Sequence, residues 1–142
     1  MKIYLYLLLI AFFSGAPLFA DEMPRSSAPD DAEVYFVEPF DGDVISDSEV
    51  YVIFGLSGMG VAPAGIEMKD TGHHHLLINV DEIDLDKPIP SDANHKHFGG
   101  GQTETVIELE PGEHTLQLIL ADHLHIPHDP PVMSEVITII VE

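Results

Sequence analysis

Residues 103–122 read TETVIELEPGEHTLQLILAD and carry the clearest architectural signal in the chain. Thr105, Ile107 and Leu109 fall on one side of an extended backbone, and Glu104 and Glu108 on the other, because successive side chains in a strand point to opposite faces. Pro111-Gly112 is turn chemistry. Beyond it Leu116, Leu118 and Leu120 resume the two-residue period. Two alternating runs about a Pro-Gly turn predict two β-strands, the second opening the closing hairpin with the final strand.

The same period appears outward from this centre. Glu49 to Leu56 places Val50, Val52, Phe54 and Leu56 together. Glu33 to Val37 ends in the turn-forming Pro39-Phe40-Asp41-Gly42. His74 to Val80 is β-like, and Glu135 to Val141 is a strong final strand. No window after the N-terminal segment sustains a helical period. About six short strands separated by turns predict an all-β fold, an immunoglobulin-like antiparallel β-sandwich. Its expected core includes Val52, Phe54, Ile78, Ile107, Leu116, Leu118, Leu120, Ile137 and Ile139. Asp81 to Gly101 is polar and punctuated by Gly and Pro, which predicts one extended loop.

The N-terminus carries Lys2 and then an apolar run, Ile3–Phe13. A run of that length is too short for a bilayer, which needs about 20 residues, and it matches the core of an export signal. Leu18-Phe19-Ala20 before Asp21 supplies an exit for cleavage. The expected organisation is a signal peptide over 1–20, a flexible lead-in over 21–32 and the sandwich over 33–142, in a periplasmic or secreted product. The alternative is an uncleaved N-terminal anchor.

The 142 residues hold 25 Asp and Glu against 5 Lys and Arg, a formal charge of −20. That balance excludes nucleic-acid binding, which needs clustered cations on phosphates, and electrostatic docking on anionic lipid. No stable membrane insertion is expected once the leader is removed. Cysteine is absent, so disulfides, thiolate metal sites and Cys nucleophiles are excluded. Gly55-Leu56-Ser57-Gly58-Met59 misses the nucleophile elbow at its last position. Gly58-Met59-Gly60 has no strand-to-helix context for a dinucleotide. Gly99-Gly100-Gly101 lacks the residues of a phosphate loop and marks backbone that turns sharply or is closely approached.

Nine histidines remain as the unusual feature. His73 and His75 share a strand face, with His74 opposite. His95 and His97 sit in the expected loop, and His123, His125 and His128 run off a strand end into Pro127, Pro130 and Pro131. Loops at one end of a sandwich converge, so imidazoles distant in sequence can meet. Neutral imidazole suits Zn(II) and Cu(II), and Asp122 or Asp129 could orient ring nitrogens from behind. The scattered methionines disfavour a Cu(I) thioether site. The candidate ligands are His73, His75, His97, His125 and His128. His74 and His114 read as strand histidines bonded to backbone, and His95 and His123 as surface residues.

Several segments together resemble a known family. They are Gly55–Gly65 (GLSGMGVAPAG), Thr71–Ile78 (TGHHHLLI), His97–Glu104 (HFGGGQTE), Pro111–Leu118 (PGEHTLQL) and His125–Ser134 (HIPHDPPVMS). The family consists of small exported bacterial proteins known only as a domain of unknown function. The resemblance implies that seven of these histidines lie in family-defining segments, with His95 and His123 at their edges, and it carries no activity. The closing hairpin also looks like bacterial immunoglobulin-like modules, a likeness of fold and not of function.

The functional expectation is a non-enzymatic, His-rich module that binds a divalent transition metal, copper(II) or zinc(II). The alternative is a structural or interaction module whose histidines stabilise the fold and whose partner is an envelope protein. The negative charge attracts cations, though this field decays over ~8 Å at ~0.15 M salt and selects none of them. Metal uptake should fade below about pH 6, because ligand histidines must be deprotonated.

Overall fold

The alternating run at Glu49–Leu56 becomes the central strand of the smaller of two sheets. The structure, a computed structural model, describes residues 23–142; the expected leader over 1–20 lies outside the described residues. In chain order the strands are β1 (Glu33–Glu38), β2 (Val44–Ile45), β3 (Glu49–Ser57), β4 (Gly60–Val61), β5 (Thr71–Ile78), β6 (His95–His97), β7 (Glu104–Glu108), β8 (Gly112–Ala121) and β9 (Ile137–Val141). Among the described residues there is no helix, and none therefore that is long and apolar enough to cross a membrane.

The smaller sheet runs β1-β3-β7 and the larger β2-β9-β8-β5-β4, with β6 added on β5. Pairing is antiparallel except at β2–β9 and β4–β5, which are short and parallel. Val34, Val50, Val52, Phe54 and Ile107 of one sheet meet Leu76, Ile78, Leu116, Leu118, Leu120, Ile137 and Ile139 of the other in a single buried cluster. Every residue expected in the core is there. Each such side chain contributes about 1.5–3 kcal/mol by leaving water.

The site depends on a departure from a plain two-layer sandwich. β5 is buried along almost its whole length. His74, Leu76 and Ile78 face the core, while His73, His75 and Leu77 face outward and are still covered. The 79–94 connection lays Ile83, Leu85 and Ile89 against Leu77, Ile119 and Ala121, forming a second apolar cluster on the outer face of the larger sheet. This third layer covers the outer face of β5 at Leu77.

Two expectations are revised. His95-Lys96-His97 is a short strand, not loop, because it pairs with Leu77, Leu76 and His75 of β5. Within the expected flexible lead-in, Arg25 to Ala28 lie against the 122–129 segment. The Arg25 Nε–H donates to Pro127 O at 3.1 Å, and its guanidinium also bonds His128 O. Ala28 N–H donates to Asp129 O at 3.1 Å, and Asp129 N–H to Ser26 O at 2.9 Å.

Candidate metal centre

Antiparallel register assembles the site. On β5, His73 and His75 share the outer face. The β5–β6 register sets His97 opposite His75. The β5–β8 register sets His73 opposite Ala121, the last residue of β8, and the turn that follows carries His125. Strand register thus places His73, His75 and His97 together and delivers the start of the turn that carries His125.

His73 Nε2 lies 3.0 Å from His75 Nε2 and 3.2 Å from His125 Nδ1. The His97 ring centroid is 5.0 Å from those of His73 and His75 and 4.7 Å from that of His125. One nitrogen from each of the four rings falls within 4.8 Å of all the others. A tetrahedral ion with Zn–N bonds of 2.0–2.1 Å spaces its ligand nitrogens about 3.3 Å apart. His73 and His75 are each 1% exposed, His125 is half-buried and His97 is exposed.

The 122–126 turn is built around one buried carboxylate. Asp122 accepts the Leu124 and Ile126 amides at 2.9 and 3.1 Å and the Ser26 hydroxyl at 2.7 Å. Burial acts to raise its pKa, but the Ser26, Ile126 and Leu124 donors, with His123, outweigh it and hold the carboxyl below the usual range. His125 N–H donates to Asp122 O at 2.9 Å, and His125 O accepts Ile89 N–H at 2.8 Å. His125 has φ of 67°, a conformation seldom taken by a residue other than Gly, Asn or Asp. Asp122 therefore positions His125 through the backbone, rather than holding a ring nitrogen as expected. Asp129 pairs instead with Arg25, at 3.9 Å.

Three of the rings have their pKa lowered, which favours the neutral form. Burial, then the neighbouring His125 and His97, push His73 down to about 4 against a weaker opposing pull from Asp122. Burial, followed by His73, His97 and His125, pushes His75 down to about 2. Burial and then His125 lower His97.

A neutral imidazole has one N–H and one lone pair. In the His73–His75 contact one ring donates from Nε2. The other must then carry its proton on Nδ1, and Nδ1 of both rings is buried without a partner. The metal-free cluster therefore leaves an N–H on a buried Nδ1 without an acceptor whichever of the two rings donates. A cation bound by both Nε2 atoms would draw on both lone pairs and place both protons on Nδ1, and an all-imidazole donor set of this spacing fits a zinc or copper ion.

The match to a family model spans residues 52–142. The chain belongs to the family described as Domain of unknown function (DUF4399). The DUF4399 region begins inside β3 and contains all four clustered histidines, the 122–126 turn and the Gly99–Gly101 turn; β1 and β2 precede it. No curated protein and no solved structure matches the chain.

Of the five histidines expected as ligands, the structure brings together His73, His75, His97 and His125. It leaves His128 apart. The His128 ring is buried, with Nε2 3.1 Å from Thr71 O and Nδ1 3.3 Å from Leu120 O, so both nitrogens face carbonyls and neither is free for an ion. His114 has the expected backbone bond: Nε2–H donates to Glu110 O at 2.8 Å, while Nδ1 accepts from the Asn79 amide at 2.9 Å. His95 bonds Asp92 at 2.9 Å. His74 departs from expectation. It packs 5.1 Å from the Phe54 ring, yet neither nitrogen has a hydrogen bond of normal geometry. Burial pushes its pKa down to about 4, opposed only by the Gln102 backbone.

Proposed function

We propose that this protein binds one divalent transition-metal ion, zinc(II) or copper(II), through His73, His75, His97 and His125. The observation that carries the reading is the convergence of four ring nitrogens within 4.8 Å, with His73 Nε2 3.0 Å from His75 Nε2 and 3.2 Å from His125 Nδ1. The donor set contains no carboxylate, which disfavours magnesium, calcium and manganese, and no sulfur, which disfavours a soft-metal site; imidazole alone suits zinc and copper. Four protein ligands complete a tetrahedral shell and leave no position for a reacting water, as in closed sites. The proposed role is therefore metal binding and handling rather than catalysis. An oxidising compartment suits an all-imidazole site, and the export-like segment at residues 1–20 supports a periplasmic or secreted location.

The unpartnered Nδ1 atoms of His73 and His75 mean that neither ring is polarised from behind by an acceptor, a support most ligating histidines enjoy. Affinity would rest on the four nitrogens themselves, so loss of one should be felt strongly. Calorimetric titration of chelator-treated protein at pH 7.5 with Zn(II) and Cu(II) tests this. The expected result is one ion per chain, with binding lost when His97 and His125 are both changed to Ala and retained in His95→Ala. X-ray absorption should show nitrogen ligands at about 2.0–2.1 Å for zinc. Equal, weak uptake by wild type and the double variant would refute the site and leave the cluster a structural one.

A further inference from the structure

We infer that Ala64, Gly65 and Gly99 form a positioning device that holds the two outer ligands, His97 and His125, at ion-binding distance. This rests on the metal-binding reading of the cluster. The inner ligands need no such device, because β5 fixes His73 and His75 two residues apart on one face. The outer ligands come from a three-residue strand and from a turn, two segments with no strand pairing between them.

Two hydrogen bonds join these segments through one short loop. Ala64 N–H donates to Gly99 O at 2.9 Å, just past His97, and Gly65 N–H donates to His123 O at 3.0 Å, just before His125. Ala64 and Gly65 are consecutive, so their Cα atoms are about 3.8 Å apart, and the His97 turn and the His125 turn are tied across a single peptide unit. Gly65 has φ of 81°, the left-handed region that glycine enters without a Cβ clash.

Gly99 has a different requirement. It does not occupy the left-handed region, and its constraint is space. A Cβ there would stand 2.3 Å from His97 Cε1, 2.6 Å from His97 Nε2 and 3.2 Å from the Ala64 Cβ. The His97 imidazole thus lies directly on the Gly99 backbone, with Ala64 beside it. The Gly55–Gly65 and Gly99–Gly101 segments supply no ligand; part of each sets where the ligands stand.

The test is Gly99→Ala, measured in wild type and in His97→Ala, with Gly100→Ala as control. A Cβ at Gly100 meets only the flexible Gln102 side chain, at 3.1 Å and beyond. Gly99→Ala should weaken Zn(II) binding roughly 10–100-fold, the usual cost of losing a support behind a metal ligand. Gly100→Ala should leave binding unchanged, and Gly99→Ala should add nothing once His97 is Ala. In metal-free protein the His97 ring signals in a proton–carbon NMR spectrum should move in Gly99→Ala and stay in place in Gly100→Ala. If Gly99→Ala fails to fold, the double variant must fold and melt like His97→Ala, since the obstructed ring is gone. A double variant that also fails overturns the proposal, as does wild-type affinity in Gly99→Ala while His97→Ala binds weakly; that last result leaves the metal site standing. Absence of Zn(II) and Cu(II) binding in wild type would overturn the metal reading and this proposal with it.

Discussion

Changing His74 to Leu should make the protein more resistant to acid. His74 sits on the core face of β5, 1% exposed, against Phe54 and with both ring nitrogens unpartnered. Its pKa in the fold is about 4, against 6.5 for a free imidazole. The unfolded chain therefore takes up this proton first as pH falls. The stability tied to His74 is intact above about pH 6.5 and is lost as pH falls through 4. A shift of this size corresponds to about 3 kcal/mol across that window. Leucine has no proton to gain and no polar atom to leave unpaired. At pH 7.5 the variant should be at least as stable as wild type, since an unsatisfied buried polar group costs about 1–3 kcal/mol. At pH 4 its advantage should grow by a further ~3 kcal/mol. His73 and His75 also titrate within the fold, but they are present in both proteins and cancel in the difference. Urea unfolding of chelator-treated wild type and variant, at half-unit steps from pH 7.5 to 4, measures the difference directly. Parallel stability curves would refute the reasoning, because the ring would then be as easily protonated in the fold as out of it. A variant markedly less stable at pH 7.5 would show that a ring nitrogen makes a bond worth more than its burial costs.

Metal binding should resist acid better than at an ordinary imidazole site. The lowered pKa values of His73, His75 and His97 mean that protons compete less well at three of the four ligands, so Zn(II) affinity should fall less steeply between pH 7.5 and 5.5 than at a site of unperturbed imidazoles, as read by calorimetry in a non-chelating buffer. Asp122→Ala should free the 122–126 turn, lowering stability by about 1–3 kcal/mol through its unpaired amides and metal affinity by roughly tenfold or more through a displaced His125; unfolding curves and titrations on the same samples separate the two effects. His128→Ala should cost about 2–5 kcal/mol, within the range for removing a large buried side chain, while leaving one ion bound per folded chain. A stoichiometry that drops with His128 would put that ring among the ligands.

The core was legible because alternation is local. Val52 with Phe54, Leu116 with Leu118 and Leu120, and Ile137 with Ile139 each declare a buried face within a few residues. The facing of β5 was legible for the same reason, with His74 beside Leu76 and Ile78 and with His73 and His75 turned away. Strands β2, β4 and β6 were not, since two or three residues are too few to display a period; their existence depends on a partner elsewhere in the chain. Placing His97 opposite His75 needs the register of β6 on β5, which no spacing within Asp81–Gly101 encodes. The same limit separates His125 from His128. Both lie in one proline-rich segment, and composition gives no ground for choosing between them. The choice is made by pairing: Pro127 returns to bridge Ala121, which carries His128 back between Leu120 and Thr71, while the turn before it, held by Asp122, leaves His125 over the outer face. That face is itself the least local feature of the molecule. In a two-layer sandwich His73 and His75 would be solvated and their pKa values ordinary. The 79–94 connection covers Leu77 of this face with Ile83, Leu85 and Ile89, apolar residues too widely spaced in a polar segment to announce a core, while His73 and His75 are packed by each other and by the rings of His97 and His125.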